Sequence, residues 1–149
     1  MTRIPLKEAR KGLALLWLVG AAAFLGLLIL QSLLGRFEGR TQAIWSWALP
    51  TILPVLSLVL SVLGYEALRE KPVPYTVDRY FLRIAHGLSF AYLFLILLTI
   101  LIEPFTPYED PLELYQLSNL WLGPIQGVVI SALGVLFFQS KSGDHADVR

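Results

Sequence analysis

The sequence has no cysteine, which excludes disulfide bonds, thiolate metal ligands, iron–sulfur clusters and thiol-based redox enzymes. It also has no Asp, Glu, Lys or Arg near the middle of any long hydrophobic stretch. Proton-coupled pumps and exporters normally need a carboxylate there, so that class is disfavoured. Phosphate-binding glycine loops, paired metal ligands and Ser/His/Asp sets are missing as well. We therefore expect no catalytic residues, no metal site, no cofactor and no nucleic-acid partner.

Hydrophobic residues make up 56% of the 149 residues, above the roughly 45–50% that is usual in soluble domains. The excess lies in four runs at about 12–34, 44–65, 84–102 and 120–138. Each run has about the twenty residues that a helix needs to cross a bilayer. The sequence predicts an all-α membrane protein, with one domain of four transmembrane helices over residues 1–149 and the lipid bilayer as its first partner.

The basic residues are distributed unevenly between the two ends of these helices. Ten of the twelve lie before the first span, between the second and third, or after the fourth, and only Arg36 and Arg40 lie in the other connections. By the positive-inside rule, both termini are in the cytoplasm. We expect a multi-pass protein of the plasma membrane, which is the inner membrane if the organism is a bacterium.

The segments outside the spans have distinct compositions. Residues 1–11 form a basic cytoplasmic tail, and residues 139–149 form a polar, flexible one. Residues 66–83 form a charged, proline-containing cytoplasmic loop, which is where we expect any cytoplasmic partner to bind. Residues 103–119 form an acidic extracytoplasmic loop, in which residues 112–117 are predicted to form a short interfacial helix that leads into the fourth span.

The extracytoplasmic loop has four acidic residues and no basic one, namely Glu103, Glu109, Asp110 and Glu113. Such a group at the mouth of a pore would concentrate cations. The positive-inside rule alone also permits acidic residues outside, so both interpretations stay open. Asp110 followed by Pro111 and Glu113 is in addition a typical helix start.

Small residues at helical spacing mark surfaces where helices can approach closely. In the fourth span Gly123, Gly127 and Ser131 are four residues apart. The second span has Ser57 and Ser61, and the first has Ala22 and Gly26, with the same spacing. We predict that these faces pack against other helices or face a pore, within the chain or between chains.

Prolines and one amide interrupt the apolar spans. Pro50, Pro54 and Pro124 lie inside predicted helices, where each removes a backbone hydrogen bond and predicts a kink or local unwinding. Gln126 is the one strongly polar side chain well inside a span. It predicts either a hydrogen bond to another helix or, repeated around an oligomer, the lining of a pore.

The second and fourth spans share a pattern. Trp47, Pro50 and Ser57 have the same spacing as Trp121, Pro124 and Ser131. This echo predicts two copies of one helical hairpin that run in the same direction through the membrane.

Together these features favour a non-catalytic membrane protein that assembles through small-residue helix faces, with itself as a homo-oligomer or with membrane partner subunits. A pore-like effector or a membrane subunit of a larger system is the leading interpretation. The alternatives are a small-solute or lipid transporter, which would use the proline-containing second helix, and a purely structural accessory subunit.

Overall fold

The computed structural model of the chain describes residues 3–68 and 76–138. Four long helices account for most of them. They are α1 (Leu6–Leu33), α2 (Thr41–Ala67), α3 (Arg79–Ile102) and α4 (Pro111–Phe138). Two short strands, β1 (Arg3–Pro5) and β2 (Thr76–Asp78), and one 3-10 turn (Glu103–Phe105) complete the described part. The predicted tail 139–149 and residues 69–75 of the predicted cytoplasmic loop lie outside the described residues.

All four helices are long and apolar enough to cross a membrane, as predicted. With 28 residues, α1 is about 42 Å long at 1.5 Å per residue, compared with about 30 Å for the hydrocarbon core of a bilayer. Each helix, with 24 to 28 residues, is also longer than the hydrophobic run of 19 to 23 residues that predicted it.

The ends of α1 and α4 differ most from the predicted boundaries. The first helix begins at Leu6, so residues 6–11 of the predicted tail are helical. The fourth begins at Pro111, so residues 112–117 form its first turns and not a separate interfacial helix. Its start is the one expected from the sequence, because Asp110 Oδ1 accepts a hydrogen bond of 2.9 Å from the Leu112 amide. The helix continues from there to Phe138, through Pro124.

The helices form a closed ring in the order α1, α2, α4, α3, with a single hydrophobic core between them. Trp17 of α1 packs on Tyr92 of α3, with ring centroids 6.0 Å apart. Trp47 of α2 stacks on Tyr115 of α4 at 4.5 Å. These large buried rings fill the middle of the bundle, so within the described residues the core is packed with side chains.

The connection between α1 and α2 is a tight turn that contains two glycines. Gly35 and Gly39 both have φ of +71°, a left-handed conformation that a side chain would strain. The turn allows α1 and α2 to lie side by side, where Trp45 Nε1 donates to Ser32 Oγ at 3.1 Å.

The opposite end of the bundle is held by contacts that the sequence did not predict. Strands β1 and β2 pair antiparallel, with Arg3 opposite Asp78. Arg10 is 5% exposed, and its Nη2 donates to the Phe137 carbonyl at 2.8 Å and to the Leu136 carbonyl at 3.3 Å. Because these are among the last carbonyls of α4, Arg10 caps that helix and completes hydrogen bonds that its end leaves open. In the sequence Arg10 is one of the basic residues of the 1–11 tail, and its contact with α4 has no local pattern.

Candidate functional site

A polar cluster lies between α2, α3 and α4, at the level of the prolines of α2. Pro54 has no N–H, so it leaves the Pro50 carbonyl without its usual helical partner. Gln126 of α4 supplies one, because its Nε2 lies 3.0 Å from the Pro50 oxygen and 3.0 Å from the Thr51 oxygen. The Tyr92 hydroxyl donates to the same Thr51 oxygen at 2.7 Å. Three helices are thus joined at one turn of α2.

This cluster explains how α2 accommodates its prolines. The prolines predicted either a kink or local unwinding. The helix runs without interruption from Thr41 to Ala67, so local unwinding does not occur. α4 likewise continues through Pro124. Backbone carbonyls inside a bilayer must find donors within the protein, and Gln126 and Tyr92 provide them for α2. The Gln126 amide nitrogen therefore makes the helix-to-helix hydrogen bond that was one of its two predicted roles.

A cavity of about 150 Å³ adjoins the cluster and is shared by the same three helices. Its deep part is lined by the buried Thr51, Tyr92 and Leu122. Its outer part is lined by exposed residues of α2 and α4, which are Ser46, Pro50, Asn119 and Gly123. No Asp, Glu, Lys, Arg or His lines it. The cavity is therefore an uncharged, partly polar recess that opens on the surface of the spanning helices.

The predicted small residues of α2 and α4 are not buried between the helices of the chain. Gly123, Gly127 and Ser131 of α4 are exposed, and so are Ser57 and Ser61 of α2. A Cβ atom built on either glycine would have no neighbour within 4 Å. The hydroxyls of Ser61 and Ser131 donate back into their own helices, to the carbonyls four residues earlier. We call these five residues the small-residue surface.

In α1 the close contact lies at a different glycine from the predicted pair. Ala22 and Gly26 are exposed, and Gly26 has open space where a Cβ would stand. Gly20 is where α3 approaches, since a Cβ there would lie only 2.6 Å from Leu93 Cδ1. Choosing between the glycines of α1 requires knowing the rotation of the helix, which the spacing of small residues leaves open.

The acidic residues of the 103–119 segment are partly neutralised. Glu103 forms an ion pair of 3.1 Å with Arg36, and Asp110 forms one of 2.9 Å with Arg40. These two arginines are the only basic residues in the connection between the first and second predicted spans. Glu109 and Glu113 are exposed and form no ion pair with the described residues. Only these two therefore remain as candidates for the acidic mouth.

The chain matches no protein-family model, and no curated protein or solved structure is similar to it. Among residues 3–68 and 76–138, no three His, Cys, Asp or Glu side chains come together in a way that could hold a metal ion. A function must therefore be inferred from the arrangement of the helices and from the polar groups that they expose or bury.

Proposed function

We propose that this chain is a non-catalytic membrane protein that assembles through its small-residue surface into a homo-oligomer or with membrane partner subunits, and acts as a pore-like effector or as the membrane subunit of a larger system. The observation that supports this is the position of Gly123, Gly127, Ser131, Ser57 and Ser61, all exposed and all on spanning helices. In lipid, helices associate through van der Waals contact, which small residues permit at short distance. A face of this kind outside the packed core is available to another chain.

Any pore would lie between chains. The interior of one bundle is filled by Trp17, Tyr92, Phe24 and Ile96, each with no exposed surface. A path for ions or solutes therefore needs several copies around a common axis, as in closed ring assemblies. Glu109 and Glu113 would then recur around one mouth and favour cations.

The proposed orientation places both termini in the cytoplasm. The ten-to-two distribution of basic residues supports it. Because the chain has no cysteine, a single Glu109→Cys substitution can be labelled in intact cells with an impermeant maleimide. Labelling only after the membrane is broken would overturn this orientation.

The decisive experiment for the pore compares two glycines. Expression of the chain should collapse the membrane potential, and Gly127→Ile should abolish the collapse because the added side chain separates neighbouring copies. Gly87→Ile is the matched control, since Gly87 is also exposed on a spanning helix with open space around it but lies outside the small-residue surface. Full leak with Gly127→Ile, at equal expression, would refute a pore that is assembled through the small-residue surface.

A small-solute or lipid transporter is the second candidate, and the cavity beside Pro50 and Gln126 favours it. Such a protein would show saturable flux without a leak, and Pro54→Ala would change the flux because it restores a backbone donor in α2. A purely structural accessory subunit would show neither behaviour and would co-purify with a stable partner.

A further inference from the structure

The cavity between α2, α3 and α4 contains polar groups that the chain itself does not use. The Gln126 amide oxygen accepts no hydrogen bond from the described residues, and the Asn119 side chain forms none with them. Trp47 also lines the cavity, but its indole nitrogen is buried, so this ring forms a wall of the cavity and offers no polar contact to a ligand. Unpaired polar groups are costly next to hydrocarbon, so the amides of Gln126 and Asn119 favour an occupant that can form hydrogen bonds with them.

The chemistry of the walls restricts that molecule. No ionisable side chain except the Tyr92 phenol lines the cavity, so a phosphate or ammonium group would have no opposite charge to stabilise it there. A bare acyl chain would leave the amides of Asn119 and Gln126 unpaired. The suitable ligand is uncharged and can both donate and accept hydrogen bonds.

The position of the cavity indicates where the ligand comes from. Ser46 lies five residues into α2, about 8 Å along its axis, and Gln126 lies fifteen residues into α4, about 22 Å along it. Asn119 lies eight residues into α4, about 12 Å along it. Helices of about 41 Å extend about 6 Å beyond each side of a hydrocarbon core of about 30 Å, so we place the opening between Ser46 and Asn119 just inside the edge of that core. At about 150 Å³ the cavity accepts a group the size of glycerol and is too small for an acyl chain as well.

We propose that this cavity binds the free hydroxyl end of a neutral glycerolipid of the diacylglycerol class, from the leaflet that surrounds the first half of α2. The hydroxyl donates to the Gln126 amide oxygen, and the Asn119 amide donates to an ester carbonyl. The acyl chains remain in the bilayer outside the opening. The cavity shares only Gly123 with the small-residue surface, since Gly127, Ser131, Ser57 and Ser61 do not line it.

Quenching of Trp47 fluorescence tests the proposal. The other three tryptophans, Trp17, Trp45 and Trp121, are replaced by Phe, and the protein is placed in phosphatidylcholine vesicles. Diacylglycerol with brominated acyl chains should quench Trp47 several-fold more than brominated phosphatidylcholine at the same mole fraction. Asn119→Leu should reduce the quenching to the phosphatidylcholine level. Gln116→Leu, an exposed change on α4 outside the cavity, should leave it unchanged.

Competition and mass measurements separate the other occupants. Unlabelled diacylglycerol should reverse the quenching, whereas glycerol added to the buffer should not; reversal by glycerol would show a small-solute site and overturn the lipid assignment. Equal quenching by both brominated lipids would mean that water alone fills the cavity. Native mass spectrometry of the protein with all four tryptophans should show one retained diacylglycerol, and its absence would contradict the proposal even if the Phe variants fold poorly. Gly127→Ile changes a residue that does not line the cavity and should alter none of these results, so failure of the lipid site and failure of assembly can be told apart.

Discussion

Gln126 and Gly127 are neighbours in α4, yet they have opposite surroundings. The Gln126 amide bonds to two carbonyls of α2, while Gly127 is exposed with open space beside it. The same contrast separates Gly20, which is pressed against Leu93 of α3, from Gly127. Residue type alone therefore does not tell which small or polar residues hold this fold together. Those that face the ring of helices stabilise one chain, and those that face outward are available to another.

The largest expected effect is that of a side chain at Gly20. Gly20→Val places a Cβ within 2.6 Å of Leu93, which is 3% exposed and has little room to move. We expect a loss of about 3 kcal/mol in the free energy of unfolding in detergent, at the upper end of overpacking costs. Gly127→Val should cost less than about 0.5 kcal/mol, as surface changes do.

A double-mutant cycle checks the cause of that loss. Leu93→Ala should recover part of the stability in the Gly20→Val background, because it makes space for the new methyl groups. Equal destabilisation by Gly20→Val and Gly127→Val would show that the inward and outward glycines do not differ as described.

The two arginines at opposite ends of the bundle extend the comparison. Arg10→Met removes the donor to the Leu136 and Phe137 carbonyls and keeps much of the side-chain volume, so we expect a cost of about 2 kcal/mol. Arg36→Met breaks an exposed ion pair with Glu103 and should cost no more than about 0.5 kcal/mol, less still at high salt. Thermal unfolding of both variants at low and high salt measures the difference, and a larger loss for Arg36 would contradict this assignment.

The smallest of the three effects is expected at Gln126. Gln126→Leu removes hydrogen bonds of 3.0 Å to Pro50 and Thr51, and hydrogen bonds between membrane helices contribute on the order of 1 kcal/mol. Gln116→Leu, which is exposed, should have no measurable effect on unfolding. If the Gln126 variant instead keeps full stability but loses the leak, the amide lines a pore and does not stabilise the fold.

The sequence was sufficient to predict the four helices of membrane-spanning length and the cap at Asp110. Each depends on local chemistry or on a long hydrophobic run. The hydrophobic run underestimated the length of α4, because the turns that begin at Pro111 are helical but not continuously apolar. The repeated hairpin stays a prediction.

The contacts of the candidate site could not be predicted from the sequence, because they join residues that are far apart in the chain. Gln126 and the Pro50 carbonyl are 76 residues apart, and their meeting depends on the depth and rotation of two helices. Ala22 and Gly26 have the same spacing as Gly123 and Gly127. The spacing identifies a helix face of small residues, but it does not tell whether another helix covers that face. The β1–β2 pair has only three residues in each strand, too few for an alternating pattern.

The mass of the particle in lipid tests the central claim most directly. The wild-type chain, reconstituted in lipid nanodiscs large enough for several copies, should give a mass of several times 16.7 kDa of protein per particle, and Gly87→Ile should give the same. Gly127→Ile should reduce it to one copy while its helical content and unfolding stay normal. A wild-type particle that contains a single chain and no partner, or an assembly that Gly127→Ile leaves intact, would contradict assembly through the small-residue surface.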